Sequence, residues 1–306
     1  MAQVTTLFRF LILALVAVIA GQVSAGPVTI GSQKCGNCHK AETDVWKKSA
    51  HFTSYKKIHK HKTAKKIVKA VKEKRMKKSA ICATCHYTTA DKKGKVKPVS
   101  GPSCESCHGP ASEWVAIHND FGGSGVKRED ETADHKSARI AKATAAGMIW
   151  PSMLYDVAAN CMSCHGLENA KLSGEHASAM LDNGHPFNPG YELVAYSQGS
   201  VRHRFYPPKV TENQEMSKAG MSRMYVIGQA AALVSALNAL KKTQHAKYVE
   251  GQNQRIAKAK AVLAKIPEAA EFLKSPSADA GRKLAEAIAG KDFTSQIGSE
   301  LPTSFK

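Results

Sequence analysis

The first apolar pattern along the chain is an unbroken run, FLILALVAVIAG, preceded by Arg9 and followed by Val23-Ser24-Ala25. The run is shorter than the roughly 20 residues that cross a bilayer. A basic residue, an apolar stretch and a small-x-small tripeptide, in that order, predict an export signal cleaved after Ala25, with an uncleaved anchor as the alternative. No later segment has the apolar length to span. Apolar positions then become sparse: Ile58, Ile67, Val68 and Val71 recur near helical spacing among lysines, which predicts a helix with one buried stripe and a lysine-covered outer face. Residues 26 to 210 otherwise divide into short helical pieces joined by turns such as DKKGKVKP (91–98) and NDFGGSGVKRED (119–130), with no convincing strand. Beyond Pro207-Pro208 the texture changes. Val226, Ala230, Leu233, Leu237 and Leu240 form one helical stripe, and Ile256, Val262, Leu263 and Ile266 suggest a second helix. Pro267 and Ser275-Pro276 read as helix starts and Gly290 as a stop. The pattern thus predicts a mainly α protein: residues 1–25 a signal peptide, 26–210 one domain of short helices and loops, and 211–306 an α-helical C-terminal extension packed on that domain or on another subunit.

Chemistry enters through the cysteines. All eight fall in four copies of Cys-x-x-Cys-His: Cys35, Cys38, His39; Cys82, Cys85, His86; Cys104, Cys107, His108; and Cys161, Cys164, His165. From this composition roughly one chance match per hundred such chains is expected, so four exclude accident. The motif attaches c-type haem: two thiols add to the porphyrin vinyl groups, and the histidine beside the second becomes the proximal iron ligand. A structural zinc site wants four ligands around one metal and gives no reason for a histidine after every second cysteine. Disulfides at this spacing are strained and redox-active rather than structural. Four covalently bound haem c groups are therefore the expected cofactors. This agrees with export, because such haem is attached outside the cytoplasm. It also explains an aromatic content of only 7%, since porphyrins bring their own apolar surface and would make cofactor insertion inseparable from folding. The domain of residues 26–210 thus reads as a tetrahaem cytochrome c domain, a multihaem fold wrapped around its cofactors. Spacings of 47, 22 and 57 residues between first cysteines argue against a simple duplicated array.

Charge narrows the partners. The formal net charge is +19, and between Lys47 and Lys78 fourteen Lys or Arg face one acid, Glu73. Such a face is either a solvated helix or a docking surface for an acidic redox protein, since complementary fields accelerate encounter. Nucleic acid is a poor partner for an exported chain that lacks a base-reading motif. Self-association through the C-terminal helices stays open.

The sixth iron position decides whether such a site carries electrons or does chemistry. Nine further histidines compete for it: His51, His59, His61, His118, His135, His176, His185, His203 and His245. Counting alone does not assign them. Met148, Met153, Met221 and Met224 read as packing residues.

The order CGNCHKAETDVWKKSAH, CATCH, GPSCESCHGPASEW with His118 following, and CMSCH resembles the cytochrome c-554 family of tetrahaem electron carriers, over roughly residues 30–210. The resemblance implies an electron carrier in ammonia oxidation that accepts electrons from hydroxylamine oxidoreductase. It implies distal ligands His51 opposite His108, His118 opposite His39 and His203 opposite His165, with His185 or His176 as substitutes for His203. It also implies a five-coordinate second haem held by His86 alone. The lysine run and the added C-terminal helices depart from that family. The expectation is an exported tetrahaem cytochrome passing single electrons between redox proteins. Its rivals are a reductase of small nitrogen-oxide species at an open His86 haem and a subunit of an extracellular cytochrome filament. An enzyme role is thus left undecided, with a carrier favoured.

Overall fold

The computed structural model describes residues 27–306, so the expected signal peptide and its cleavage after Ala25 lie outside the described residues. Helix accounts for 55% of these residues and strand for 3%, which makes the protein mainly α as expected. Among the described residues no helix is long and apolar enough to cross a membrane.

The first half is a succession of short pieces: α1 (Ser32–Gly36), α2 (Lys40–Trp46), α3 (Ala50–Lys57), α4 (Lys62–Ala70) and α5 (Ala80–His86). Hydroxyl caps punctuate them. Ser49 accepts from the Phe52 amide at the start of α3, and Ser79 from the Cys82 amide at the start of α5, each satisfying an otherwise unpaired donor. The lysine-rich stretch is not the single helix its pattern suggests. A 3₁₀ turn at Ile58–Lys60 and another at Met76–Lys78 interrupt it. The apolar stripe nevertheless behaves as read: Ile67, Val68 and Val71 are buried, while Lys65, Lys66 and Lys69 are exposed.

Sequence reading missed one feature here. Thr88–Asp91 (β1) and Val96–Ser100 (β2) form an antiparallel hairpin. Its turn is legible in DKKG: Lys93 and Gly94 both have positive φ, the Lys92 amide reaches the Lys95 carbonyl, and the Asp91 carboxylate accepts from the Gly94 amide. The strands are short, and Pro98 sits inside the second, which demotes it in a sequence reading but is tolerated on a two-stranded edge.

Then follow α6 (Cys104–His108), α7 (Ala133–Ala145), α8 (Leu154–His165), α9 (Gly174–Asp182) and α10 (Leu193–Ser197). Beyond residue 210 lie α11 (Lys218–Ala239), α12 (Ala246–Leu263), α13 (Ala270–Lys274), α14 (Ala278–Ala287) and α15 (Thr294–Ile297). Gly290 has positive φ just past the end of α14.

Helix α11 corrects the expectation of a single stripe. From Met224 to Leu233 every residue is buried, because α8, α10, α12, α14 and α15 surround it. A helix covered on all sides shows little amphipathic signal. Its core is shared across residue 210: Tyr155, Ala158 and Met162 of α8 pack in one cluster with Tyr225, Leu233, Leu263, Phe272, Leu284 and Ile297. The helix that ends in the fourth motif is therefore built into the C-terminal helices.

Candidate haem sites

Three motifs lie at helix ends. Helix α5 stops at His86, α6 is the third motif itself, and α8 stops at His165; Cys35 lies in α1, and His39 opens α2. The third motif is the hub. Glu105, between its cysteines, accepts from the amides of Ile30, Gly31 and Ala111 at 2.8, 2.7 and 2.9 Å, tying α6 to the segment before the first motif. The Thr88 hydroxyl of β1 lies 2.9 Å from Ser103 Oγ and 2.8 Å from Ser106 Oγ, so the hairpin clasps the start of α6. On the far side Asn160 Nδ2 donates to the Ser106 and Cys107 carbonyls, fastening α8 and the fourth motif.

Thiol neighbours give the order of the motifs. Cys35 lies beside Cys104 and Cys85 beside Cys164, each near enough to shift its neighbour's thiol, and Cys85 holds the Cys164 thiol down to about 7. Burial pushes the Cys107 thiol up to about 12, with Cys161 and Cys164 adding to the shift. First, third, fourth and second is thus the spatial sequence.

The histidines carry the site. Each motif histidine faces a second imidazole: His39 and His118 have ring centroids 6.2 Å apart, His51 and His165 6.2 Å, His86 and His185 6.0 Å, and His108 and His203 6.2 Å. An imidazole nitrogen lies about 1.1 Å from its ring centre and binds a first-row metal at about 2 Å, so two rings sharing one ion put their centroids roughly 6 Å apart. All four pairs have that separation. Nδ1 of His108 is 2.9 Å from the Ile149 carbonyl, of His118 2.7 Å from Val115, of His185 2.8 Å from Pro186, and of His203 2.6 Å from Val201. A carbonyl takes a proton from Nδ1, which leaves the Nε2 lone pair for a metal. Burial pushes His86 and His165 down to about 4, and it lowers His51, His108, His118 and His185 as well, so these rings are kept neutral.

Buried polar atoms beside the pairs also fit a porphyrin. Trp114 Nε1, Trp150 Nε1 and the Tyr87 hydroxyl are buried without protein partners. Trp114 packs edge-on to His118, Trp150 follows the residue whose carbonyl holds His108, and Tyr87 follows His86. Buried donors of this kind need an acceptor, and porphyrin carboxylates would supply it. The residues present therefore fit four haem c groups.

Three expectations from the family resemblance change. His51 faces His165 rather than His108, because α3 places it beside the fourth motif. His203 faces His108 rather than His165, and Tyr191, not a histidine from the 200 loop, stacks on His165 at 4.2 Å. His86 is not alone: His185, weighed in the sequence only as a substitute for His203, lies opposite it. The pairing of His118 with His39 is the arrangement the resemblance implied. The remaining histidines face elsewhere: His61 caps α4, His135 pairs with Glu131, His176 with Ser173, and His245 with Asp182, while His59 sits on the lysine-rich 3₁₀ turn. Met148 and Met224 are buried in packing clusters, consistent with their reading.

Residues 34–109 match the family described as cytochrome c554 and c-prime. A curated relative, the cytochrome c-554 of Nitrosomonas europaea, is 32% identical over 118 residues, covering 36% of this chain and 50% of the relative. The chain thus spans about half the length of the curated relative it matches. No solved structure matches it. The matched segment holds the first three motifs and stops short of the fourth. Over residues 34–109, which carry three of the four motifs, the chain is thus similar to the cytochrome c554 and c-prime family.

Proposed function

We propose that the protein is an exported tetrahaem c-type cytochrome that passes single electrons between redox proteins. The observation that carries this reading is the approach of a second imidazole to every motif histidine, at 6.0 to 6.2 Å. When bound, haem c supplies an iron that changes its charge by one electron without making or breaking a ligand bond. The cysteines would fix the group covalently, and the paired imidazoles would hold its iron from both sides and so exclude a substrate. The motif order first, third, fourth, second gives four sites in a row, each next to the following one through cysteines of adjacent motifs.

The reductase rival needs an iron with a free position. His185 opposite His86 weighs against it. The filament rival needs helices that seek a partner copy, whereas α11 buries its apolar residues against α8, α10, α12, α14 and α15 of its own chain. Intact mass is the direct test. The account expects the chain from Gly26 plus four haems. A chain with fewer haems, or with its cysteines in disulfides, contradicts it.

The lysine face is the proposed docking surface for an acidic redox partner. Of its fourteen basic residues only Lys47 and Lys72 approach a carboxylate among the described residues, at 3.5 Å from Asp44 and Glu175. The face lies against one end of the row of sites. Val68 and Met76 pack with Cys82 and Tyr87 of the second motif, and Lys77 lies over the Tyr55 ring in the same cluster.

A further inference from the structure

Residues 211–306 hold no cysteine, and the approach of His185 to His86 suggests what they do. His185 lies in the irregular segment between α9 and α10, and its ring is oriented only by the bond from Nδ1 to the Pro186 carbonyl beside it. The segment is fixed from α12. At its start His245, the residue before α12, reaches Asp182 at 2.9 Å. In its middle Phe187 stacks on Tyr248, with centroids 5.9 Å apart and planes 25° from parallel. Gly251 lies beneath Phe187 and Pro189 so closely that a Cβ there would collide with the Phe187 ring. Tyr248 is fully buried, and its hydroxyl donates to the Leu167 carbonyl, two residues past His165. One turn and a half of a C-terminal helix thus grips the loop that bears His185 and the end of the fourth motif together.

We infer that α12 is a clamp: it holds His185 opposite His86 and so keeps the second site closed to exogenous ligands. The inference rests on the reading of the histidine pairs as axial ligands. Its physical basis is local opening. A short loop without secondary structure samples open states with a free energy set by its few packing contacts, and here those contacts are the aromatic stack and the Gly251 seat. The clamp acts through His185 and touches no iron, so Phe187, Tyr248 and Gly251 are positioning residues.

The test uses the haem-loaded full chain as wild type, H185A, F187A, G251L and, as a control on α9, H176A. Carbon monoxide binding by the reduced protein and electron paramagnetic resonance of the oxidised protein are the readouts. Wild type and H176A should bind no carbon monoxide promptly. H185A should bind one per chain and show one high-spin iron beside three low-spin ones. F187A and G251L should stay low-spin at rest but bind carbon monoxide about tenfold faster than wild type or more, because a weaker clamp raises the open population. Prompt binding by the wild type, or an H185A spectrum indistinguishable from wild type, would remove His185 from the site. Clamp variants that bind no faster than wild type, while H185A behaves as expected, would remove the clamp and leave the pairing. Should the clamp variants fail to accumulate, hydrogen exchange of the wild type decides: amides of 183–192 and 245–252 should open together, and independent opening would overturn the clamp. A wild-type mass without haem would instead refute the reading on which the inference rests.

Discussion

Glu105 is 3% exposed, and two of the three amides on its carboxylate are buried with it. Replacing it by alanine leaves those two donors without partners, each costing about 1–3 kcal/mol, so E105A should lose roughly 2–6 kcal/mol of stability. Glutamine, which keeps one acceptor oxygen, should lose less. Guanidinium unfolding of the holoprotein followed by circular dichroism checks this, and equal losses for the two variants would count against the acceptor role. The histidines show at the same scale what a sequence can convey. Each motif announces its proximal histidine because thioether chemistry fixes the spacing. The second imidazole arrives through space, from α3, from the loop carrying His118, from the 183–192 segment and from the 200 loop, and nothing in local spacing marks it. The one legible signal was an excess of histidines. His185 was within that excess, but it meets His86 only through the fold, from a segment whose Phe187 packs on a helix some sixty residues later.

Among the elements, α7 offers a pH test. Glu131 precedes its cap, and the Arg139 guanidinium, with help from His135, holds the Glu131 carboxyl down to about 2. Arg139 also donates to the His118 carbonyl at 2.7 Å, so the pair steadies the loop bearing His118. A depressed carboxyl contributes stability that is complete above its ordinary value near 4.3 and is lost as pH falls toward the folded value. The melting-temperature gap between wild type and E131Q should therefore be largest near neutrality and close between about pH 5 and 2. A gap that stays constant down to pH 2 would mean that the pair contributes through shape alone. The secondary structure that was legible followed the same physics: caps, turn residues and the Ile67, Val68, Val71 stripe. The parts that were not were tertiary. The hairpin strands are too short for alternation to register, and α11 has no polar face because five helices cover it.

For the whole molecule, the charge distribution and the proposed closure of the four sites are the consequences that matter. Thirteen of the nineteen net positive charges fall between Lys47 and Lys78. Screening shortens their reach to about 8 Å at physiological salt. Reduction by an acidic protein donor should slow steeply as ionic strength rises. Reversing the exposed Lys65, Lys66 and Lys69 to glutamate should lower that rate about tenfold or more at low salt and flatten its salt dependence, while reduction by neutral photoreduced riboflavin stays unchanged. Stopped-flow kinetics read both. Lys72 is a poorer choice because its φ is +59°, where a substitution also changes backbone strain.

The central claim is that every motif histidine shares its iron with a second imidazole, His118 for His39, His185 for His86, His203 for His108 and His51 for His165. Electron paramagnetic resonance of the oxidised wild-type holoprotein, integrated against total haem, counts high-spin and low-spin irons at once. Four low-spin irons and no high-spin signal are expected. A high-spin signal amounting to one iron per chain would contradict it, and would return His86 to the open site that the family resemblance implied.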